Sequence, residues 1–247
     1  MTENNKPFRT AVVTGASRGF GRAVVAALLA EGTHVVGIAR DERGLNAVAE
    51  DGFTSVAADA TDEAVAEDVI RTYRPGLLVL NAGAEPHMAP VHEHTWETFS
   101  RNWEVDTRHV FTWTRAALRE PLAPGSVVVT MSSGAALFGS PLSGGYASAK
   151  AAVRCLRGYG ADEAQRAGLG IRFVTLLPDM TPAGGVGEIG VAGYAARQGV
   201  DRDTFLRSRG TLLTAEQVGT AVVEVAGNPD SAPEYRIGGT GLTPLGA

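Results

Sequence analysis

The sequence predicts an α/β protein built on a doubly wound parallel sheet with helices on both faces. Short apolar runs recur along the chain. These runs are continuous rather than alternating, as expected of strands buried on both faces. Helical patterns separate them, and alternating strand and helix is typical of a parallel sheet. One domain of about seven strands over residues 1–247 fits the length, and a 44% hydrophobic composition is sufficient for its core.

Five apolar runs are clear enough to be placed as strands. They occupy residues 10–14, 34–39, 76–80, 126–131 and 171–177. Helical patterns follow at residues 21–31, 62–73, 110–118 and 146–167, and the second of these opens with acidic residues, as a helix start does. Residues 181–193 are rich in glycine and precede a more helical stretch to Arg209. An insertion this late in a compact domain predicts a substrate lid, which we place at 181–213.

Composition argues against several classes of protein. The net charge of −5 and the absence of a basic stripe argue against a nucleic-acid partner. No apolar run is long enough to span a bilayer, and the N-terminus lacks the apolar core of a signal peptide. Cys155 is the only cysteine, so no internal disulfide can form, and we expect it to pack in the core. These features favour a cytoplasmic protein with no membrane partner.

The stretch TGASRGFG, residues 14–21, directly follows the first predicted strand and opens the first helix. Its three glycines allow a tight turn and close approach of the backbone to a pyrophosphate at the helix N-terminus. An ordinary glycine-rich turn is the alternative, and the position after strand one argues against it. The stretch predicts dinucleotide contacts from Gly15, Ser17, Arg18, Gly19, Phe20 and Gly21.

The end of the second predicted strand indicates which dinucleotide is bound. An acid there holds the 2′-hydroxyl of NAD, whereas an arginine accommodates the 2′-phosphate of NADP. This chain has Arg40 after the strand and Arg18 in the glycine turn. The two cations favour NADP. Asp41 argues mildly for NAD, but it also suits the N-cap of the next helix, which is the interpretation adopted here.

Further motifs follow in a characteristic order: DAT at 59–61, NAG at 81–83, then Ser133, Tyr146 and Lys150. With the glycine turn, they resemble the short-chain dehydrogenase/reductase family over essentially the full length. The resemblance implies a Rossmann-type domain, a nicotinamide cofactor, and hydride exchange between an alcohol and a carbonyl. It also implies a small-molecule carbonyl or alcohol substrate and a homo-oligomer, which we expect to be a tetramer because helices of the family commonly pair across two-fold axes. Implied cofactor contacts are Asp59, Ala60, Asn81, Ala82, Gly83, Pro178 and Thr181.

Tyr146 and Lys150 have a spacing suited to proton transfer. Reduction of a ketone needs a proton delivered to the oxygen as hydride reaches the carbon, and Tyr146 is predicted to be that acid/base group. Lys150 lies four residues later on the same helix face, where its charge would stabilise the phenolate. For the pair alone, an exposed helix face would be the better interpretation. Ser133 ends a strand upstream and would polarise the substrate oxygen; the spacing favours it over Ser132.

Two positions depart from the family pattern. The family has an asparagine on the helix after NAG, where this chain has Asp106. An ionised aspartate cannot donate a hydrogen bond, so Asp106 is predicted to belong to the catalytic group or to brace a helix bend. Asn102, a turn earlier, is expected to face elsewhere. The family often has Pro-Gly where this chain has PDMTP at 178–182.

The sequence thus predicts an NADP-dependent oxidoreductase. A cofactor-binding regulator without chemistry and a lyase or epimerase on the same fold are the alternatives. His87, His92 and His94 match no strong ligand spacing, so no metal is predicted. Trp96, Trp103 and Trp113 are expected to be packing residues, and the identity of the substrate is not readable from one sequence.

Overall fold

One mixed sheet of eight strands forms the centre of the structure. The computed structural model describes residues 8–48, 50–182 and 185–246. Seven neighbouring strands are parallel, and only the eighth pairs antiparallel with the seventh. The strands are β1 (Thr10–Thr14), β2 (His34–Ala39), β3 (Phe53–Ala57), β4 (Leu77–Leu80), β5 (Val127–Met131), β6 (Arg172–Pro178), β7 (Glu234–Gly238) and β8 (Gly241–Pro244).

Helices connect successive strands. In chain order they are α1 (Gly19–Ala30), α2 (Glu42–Asn46), α3 (Glu63–Tyr73), α4 (Trp96–Asn102), α5 (Arg108–Arg119), α6 (Ala135–Phe138), α7 (Gly144–Arg166), α8 (Gly185–Gln198), α9 (Arg202–Ser208) and α10 (Ala215–Gly227). A π-helical turn, Trp103–Thr107, joins α4 to α5 without a break. None of the helices within the described residues is long and apolar enough to cross a membrane.

The sheet order is β3-β2-β1-β4-β5-β6-β7-β8. The order reverses direction between β1 and β4, and ligands of open α/β sheets bind at the carboxyl ends of strands at such a point. Helices α1 and α10 cover one face, and α3, α5 and α7 cover the other. Each face has its own hydrophobic core, so every central strand is buried on both sides. The predicted doubly wound α/β fold is therefore confirmed.

The predicted strands coincide with β1, β2, β4, β5 and β6 to within one residue at each end. The sheet has eight strands, where about seven were expected, and three of them, β3, β7 and β8, do not correspond to any of the five placed runs. β3 is the sheet edge, and its side chains are half-buried or exposed rather than continuously apolar. β7 and β8 are similarly half-exposed. Strands at the edge lack the continuous apolar signal on which the prediction depends.

Two helices, α8 and α9, fill the predicted lid segment between β6 and α10. Residues 183 and 184 of that segment lie outside the described residues. The glycine-rich part is helical from Gly185, earlier than its composition suggests. A Cβ at Gly187 would collide with the Thr181 carbonyl, and one at Gly193 would lie 2.8 Å from Met88 Cε. Close packing against neighbouring segments therefore accounts for these glycines.

The expectation for Cys155 was wrong, because this residue lies exposed on α7.

The three tryptophans, all expected to be packing residues, differ in how far they are buried. Trp113 is fully buried and donates from Nε1 to the Ala60 carbonyl at 2.8 Å. Trp96 and Trp103 remain 77% and 40% exposed, so they are not core residues of this chain.

Candidate active site

The glycine turn between β1 and α1 forms a cradle in which three positions, Gly15, Gly19 and Gly21, have no side chain. Gly15 and Gly19 have φ of 68° and 55°, in the left-handed region that favours glycine. A Cβ at Gly21 would collide with the Gly15 carbonyl oxygen, so only glycine lets α1 begin this close to the turn. The Gly15 amide donates to the Ile38 carbonyl at 2.8 Å, which ties the turn to the end of β2. This geometry fits a dinucleotide pyrophosphate at the start of α1.

A cavity of about 1000 Å³ lies over the carboxyl ends of the strands. Its wall includes both the glycine turn and the residues predicted for proton transfer. The sequence-predicted residues on it are Gly15, Ser17, Arg18, Gly19, Phe20, Arg40, Asp59, Ala60, Asn81, Ala82, Gly83, Asp106, Ser133, Tyr146, Lys150, Pro178 and Thr181. Gly21 does not line the cavity; it lies buried beneath Gly15 and acts by close packing.

Asp59 and Arg40 mark the end of the cavity beyond β2 and β3. Asp59 accepts from the amide and hydroxyl of Thr61 at 2.8 and 2.9 Å. These bonds, helped by the charge of Arg40, hold the pKa of Asp59 below its usual value of 3.8. Asp41 caps α2 by accepting from the Gly44 amide at 3.1 Å, as the sequence suggested. The Asp41 carboxylate is therefore engaged in the cap.

Arg18 does not point freely into the cavity. Its Nη2 lies 2.9 Å from Oε1 of Glu85, on the loop after β4. A Cβ at Gly185 would meet both partners, so the pair lies against the start of α8. Both side chains are substantially exposed, at 68% and 39%, and exposed pairs of this kind contribute only about 0–1 kcal/mol. The pair can consequently be exchanged for a stronger anionic partner.

A buried hydrogen-bond network joins β1 to the NAG segment. Thr14 Oγ1 accepts from the amides of Asn81 and Ala82, at 2.9 and 3.1 Å. Asn81 Nδ2 donates to the carbonyls of Thr14 and Gly15. These two bonds tie Asn81 to the backbone of the glycine turn and hold it at the cavity wall.

His109 completes this network, although the sequence gave no sign of its role. It is fully buried on α5, and its Nε2 lies 2.9 Å from Thr14 Oγ1. Thr14 Oγ1 accepts from two amides, and its own hydroxyl proton has two acceptors within reach, His109 Nε2 at 2.9 Å and the Val79 carbonyl at 3.3 Å. His109 Nδ1 makes no well-directed hydrogen bond with the described residues.

The environment keeps His109 neutral. Burial, together with the charge of Lys150, lowers the pKa of His109 to about 3, and the nearby Ala82 backbone offsets this only in part. In the unfolded chain the histidine binds a proton below about pH 6.5, whereas in the folded chain it does not until about pH 3. Acid therefore favours the unfolded state through this residue.

We expect the buried His109 to lower the free energy of unfolding by about 1.4 kcal/mol for each pH unit below 6.5, or by about 2 kcal/mol at pH 5. Denaturant unfolding of the wild type and of His109→Gln between pH 7 and pH 5 measures the difference. The slope against pH should be shallower in His109→Gln. His92→Gln, at a side chain 76% exposed, is the matched control and should keep the wild-type slope. Equal slopes for all three proteins would contradict the assignment.

The end of β5 and the start of α7 bring the residues predicted for proton transfer to the cavity. Ser132 is buried and donates its hydroxyl to the Lys150 carbonyl at 2.8 Å, so that hydroxyl is already engaged. Ser133 lines the cavity, and its Oγ accepts from the Ala135 amide at 3.2 Å, which leaves its proton available. Tyr146 is half-buried on the same wall. Lys150 Nζ lies 5.7 Å from the centre of the Tyr146 ring.

Lys150 is 6% exposed, and its ammonium has two close partners. Nζ donates to the Met131 carbonyl at 3.0 Å and lies 3.2 Å from Asp106 Oδ2. Burial by itself lowers the pKa of Lys150, but the charges of Asp106 and Tyr146 outweigh it, and the net pKa lies above the ordinary 10.5. Lys150 therefore carries a full positive charge at neutral pH.

The π-helical turn places Asp106 in this group. Asp106 is 1% exposed, and its Oδ1 accepts from the Ala84 amide at 2.7 Å. Its Oδ2 forms the ion pair with Lys150 but makes no well-directed hydrogen bond within the described residues. π-helical turns often occur at functional sites, and this one aims a carboxylate at the ammonium beside Tyr146. Asp106 thus contacts Lys150 and also anchors the loop after β4.

Asn102 faces the same loop, contrary to the expectation that it points elsewhere. It is buried and donates from Nδ2 to the Ala84 carbonyl at 2.9 Å. Asn102 and Asp106 thereby hold both backbone groups of Ala84, one from each end of the π-helical turn. Residues four apart share one face of a helix, so Asn102 and Asp106 can reach the same partner, and the expectation for Asn102 was wrong for this reason.

The end of β6 and the residues after it form a further part of the cavity wall. The Pro178 carbonyl accepts from the Gly134 amide at 2.9 Å, and Thr181 is 5% exposed at the start of the lid segment.

The rings of His87 and His94 pack edge to face, with their centres 5.3 Å apart. Within the described residues no group of three histidine, cysteine or acidic side chains is arranged to hold a metal ion.

Comparison with known proteins identifies the family to which this chain belongs. The sequence profile of the short chain dehydrogenase family matches residues 9–190. The chain belongs to the short-chain dehydrogenase family. L-xylulose reductase of Bos taurus is 31% identical over 180 residues, which cover 71% of this chain and 74% of that enzyme.

Two solved structures share the fold of this short-chain dehydrogenase. Levodione reductase is 25% identical, with a TM-score of 0.78, and the match covers 94% of this chain and 96% of that one. A 3-ketoacyl-(acyl-carrier-protein) reductase from Brucella melitensis, solved with NADH, is 23% identical, with a TM-score of 0.76 over 94% and 97% of the two chains. All three relatives of this short-chain dehydrogenase are named as reductases.

Proposed function

We propose that the protein is an NADP-dependent reductase of a small carbonyl compound. One observation supports this proposal above the others: a single cavity has the glycine cradle on one wall and Ser133, Tyr146 and Lys150 on another. A regulator without chemistry would need none of the latter three side chains. The nucleotide, when bound, would supply a hydride as NADPH in reduction or accept one as NADP⁺ in oxidation.

The chain's own residues account for the proton. In reduction the Tyr146 hydroxyl donates its proton to the carbonyl oxygen, which becomes the alcohol hydroxyl. The buried ammonium of Lys150 stabilises the phenolate left behind. The Ser133 hydroxyl donates to the same substrate oxygen and stabilises the charge that develops on it. In oxidation, the phenolate accepts the proton instead.

The preference for NADP rests on Arg40 and Arg18. Arg40 is exposed on the cavity wall, and Asp41 is occupied by the α2 cap. Arg18 would exchange Glu85 for the 2′-phosphate, because a phosphate makes stronger charge-assisted bonds than an exposed carboxylate pair. The Brucella relative solved with NADH leaves this preference open to test.

We expect Arg40→Asp to weaken NADPH binding at least about tenfold and to swing the preference toward NADH, because the new carboxylate repels the 2′-phosphate. Fluorescence titration of both nucleotides into each protein measures the change. Arg43→Asp, one turn away on α2 and outside the cavity, is the matched control and should keep the wild-type ratio. Wild-type protein that binds NADH as tightly as NADPH would contradict the assignment.

We also propose that residues 181–213 form a lid over the substrate. Helices α8 and α9 pack on each other through Val191, Ala195 and Phe205, a small core separate from the two central ones. Gly185, Gly190, Tyr194 and Phe205 line the cavity. A segment with its own small core can move as a unit relative to the sheet.

The exposed aromatic residues support a homo-oligomer, which we propose to be a tetramer. Trp103, Phe111 and Tyr159 are 40%, 51% and 65% exposed on the neighbouring π turn, α5 and α7. Large apolar side chains exposed on adjoining helices are typical of protein interfaces. Light scattering at micromolar concentration should give the mass of four chains, and Phe111→Asp should lower it. A monomer in the wild type would contradict the proposal.

A further inference from the structure

A second chamber adjoins the main cavity on the side away from the glycine turn. Its volume is about 280 Å³. Four residues border both spaces, namely Asp179, Met180, Arg209 and Arg236. The remaining wall comes from the segment around residues 208–213, between α9 and α10. The chamber is therefore a side pocket of the proposed substrate cavity.

The side pocket lies close to the reacting groups. Asp179 directly follows β6, and a Cβ at Gly134 would lie 3.1 Å from Asp179 Oδ1. Gly134 is the residue after Ser133. Arg236 on β7 binds the Asp179 carboxylate with two parallel bonds, Nε to Oδ1 at 2.8 Å and Nη2 to Oδ2 at 2.9 Å. This ion pair neutralises the Asp179 carboxylate and holds the Arg236 guanidinium in one orientation.

Arg209 has no such acidic partner. It follows the last turn of α9, and its guanidinium carbon lies 5.8 Å from the ring centre of Phe205, a buried residue of the lid core. Within the described residues, no carboxylate lies within ion-pair distance of Arg209. Two guanidinium groups and one carboxylate leave the shared wall with a net charge of +1. This positive charge faces the side pocket, whose other lining residues are Met180, Ser208, Thr211, Leu212 and Leu213.

We propose that Arg209, with Arg236 fixed beside it, binds an anionic group of the substrate, so that the substrate is an acidic carbonyl compound. This inference rests on the proposed reductase function and names its substrate class. A carboxylate or a phosphate suits the site, because an arginine guanidinium can donate two parallel hydrogen bonds to a pair of oxygens in either group. The carbonyl would then face Ser133 and Tyr146 while the anion enters the side pocket.

A structural role for Arg209 is the competing explanation. A cation after the last turn of a helix interacts favourably with the unpaired carbonyls there. Arg207 provides the comparison, because it lies in the same last turn but borders neither space and bonds instead to Thr204 Oγ1 at 2.8 Å. The two roles therefore predict different results for the two arginines.

The test compares matched probes in binding and in turnover. 4-Oxopentanoate and its neutral amide form the carboxylate arm, and dihydroxyacetone phosphate with dihydroxyacetone forms the phosphate arm. Calorimetric titration into the protein with NADP⁺ present measures affinity, and NADPH oxidation measures kcat/KM. We expect wild-type protein to bind the anion of one pair about tenfold more tightly than its neutral partner, the range expected for a charged hydrogen bond. The arm that shows the difference identifies the anion.

Arg209→Gln should abolish the discrimination within that pair, and Arg207→Gln should retain it. Equal affinity for the anionic and neutral probes in the wild type would overturn the proposal. Discrimination that survives in Arg209→Gln would also overturn it, and a loss of thermal stability alone would assign Arg209 to the helix end. Because affinity is measured without turnover, an anion preference in a protein that oxidises no NADPH would instead reject the reductase function.

Discussion

Tyr146→Phe is expected to lower turnover about 100-fold to 10,000-fold while leaving NADPH affinity close to that of the wild type. The substitution keeps the ring that Lys150 faces at 5.7 Å and removes only the hydroxyl that carries the proton. Tyr146 is half-buried on the cavity wall, so a ring of the same shape should retain its packing. Steady-state NADPH oxidation and nucleotide titration separate the two effects.

Tyr73→Phe is the matched control for that experiment. Tyr73 is half-buried at the end of α3 and borders no part of the cavity. Its replacement also removes only a hydroxyl, and it should leave turnover close to that of the wild type. A Tyr146→Phe enzyme that retains most of its turnover with a true substrate would show that another group moves the proton.

Asp106→Asn is expected to shift the pH profile of alcohol oxidation downward by about one unit. The carboxylate lies 3.2 Å from Lys150 Nζ and partly cancels the positive potential that Lys150 imposes on the Tyr146 hydroxyl. Asparagine has nearly the same shape, and its carbonyl can still accept from the Ala84 amide. Removal of the negative charge should therefore favour the phenolate that oxidation needs, while reduction, which uses the neutral phenol, should change less.

The control for this charge effect is Glu104→Gln, an exposed residue of the same π-helical turn. It should leave the profile in place. Asp106→Ala is a harsher change, because it leaves the Lys150 ammonium buried without its carboxylate, and loss of one partner of a buried pair costs about 3–5 kcal/mol. An unmoved oxidation profile in Asp106→Asn, together with a lower stability in Asp106→Ala, would assign Asp106 a purely structural role.

The parts of the fold that the sequence predicted share one physical property. β1, β2, β4, β5 and β6 are buried on both faces, so their apolar runs are unbroken. The sheet edge has no such requirement, and β3 was missed for that reason. Helix α8 was also hidden, because the glycines that suit close packing against Thr181 and Met88 resemble those of a loop.

The candidate site was likewise predictable only in part from the sequence. Spacing along one helix or one turn is visible in a sequence, and this is how Tyr146, Lys150 and the glycine turn were found. Contacts across the sheet are not visible. Nothing local marks His109 as the partner of Thr14, or Glu85 as the partner of Arg18, because these pairs lie 95 and 67 residues apart. The sequence assigned Asp106 either to the catalytic group or to a helix bend, and the structure shows it on the π-helical turn, 3.2 Å from Lys150 Nζ.

Transfer of deuterium tests the central claim most directly. The enzyme is incubated with NADPH carrying two deuterium atoms at C4 of the nicotinamide ring and with a panel containing a ketose, a vicinal diketone and the oxo acid used above. Mass spectrometry of the products should find one deuterium on the former carbonyl carbon, with one NADP⁺ formed for each alcohol, and Tyr146→Phe should suppress both. Protein that binds NADPH but returns it unoxidised, with no deuterium in any product, would contradict the assignment of a carbonyl reductase.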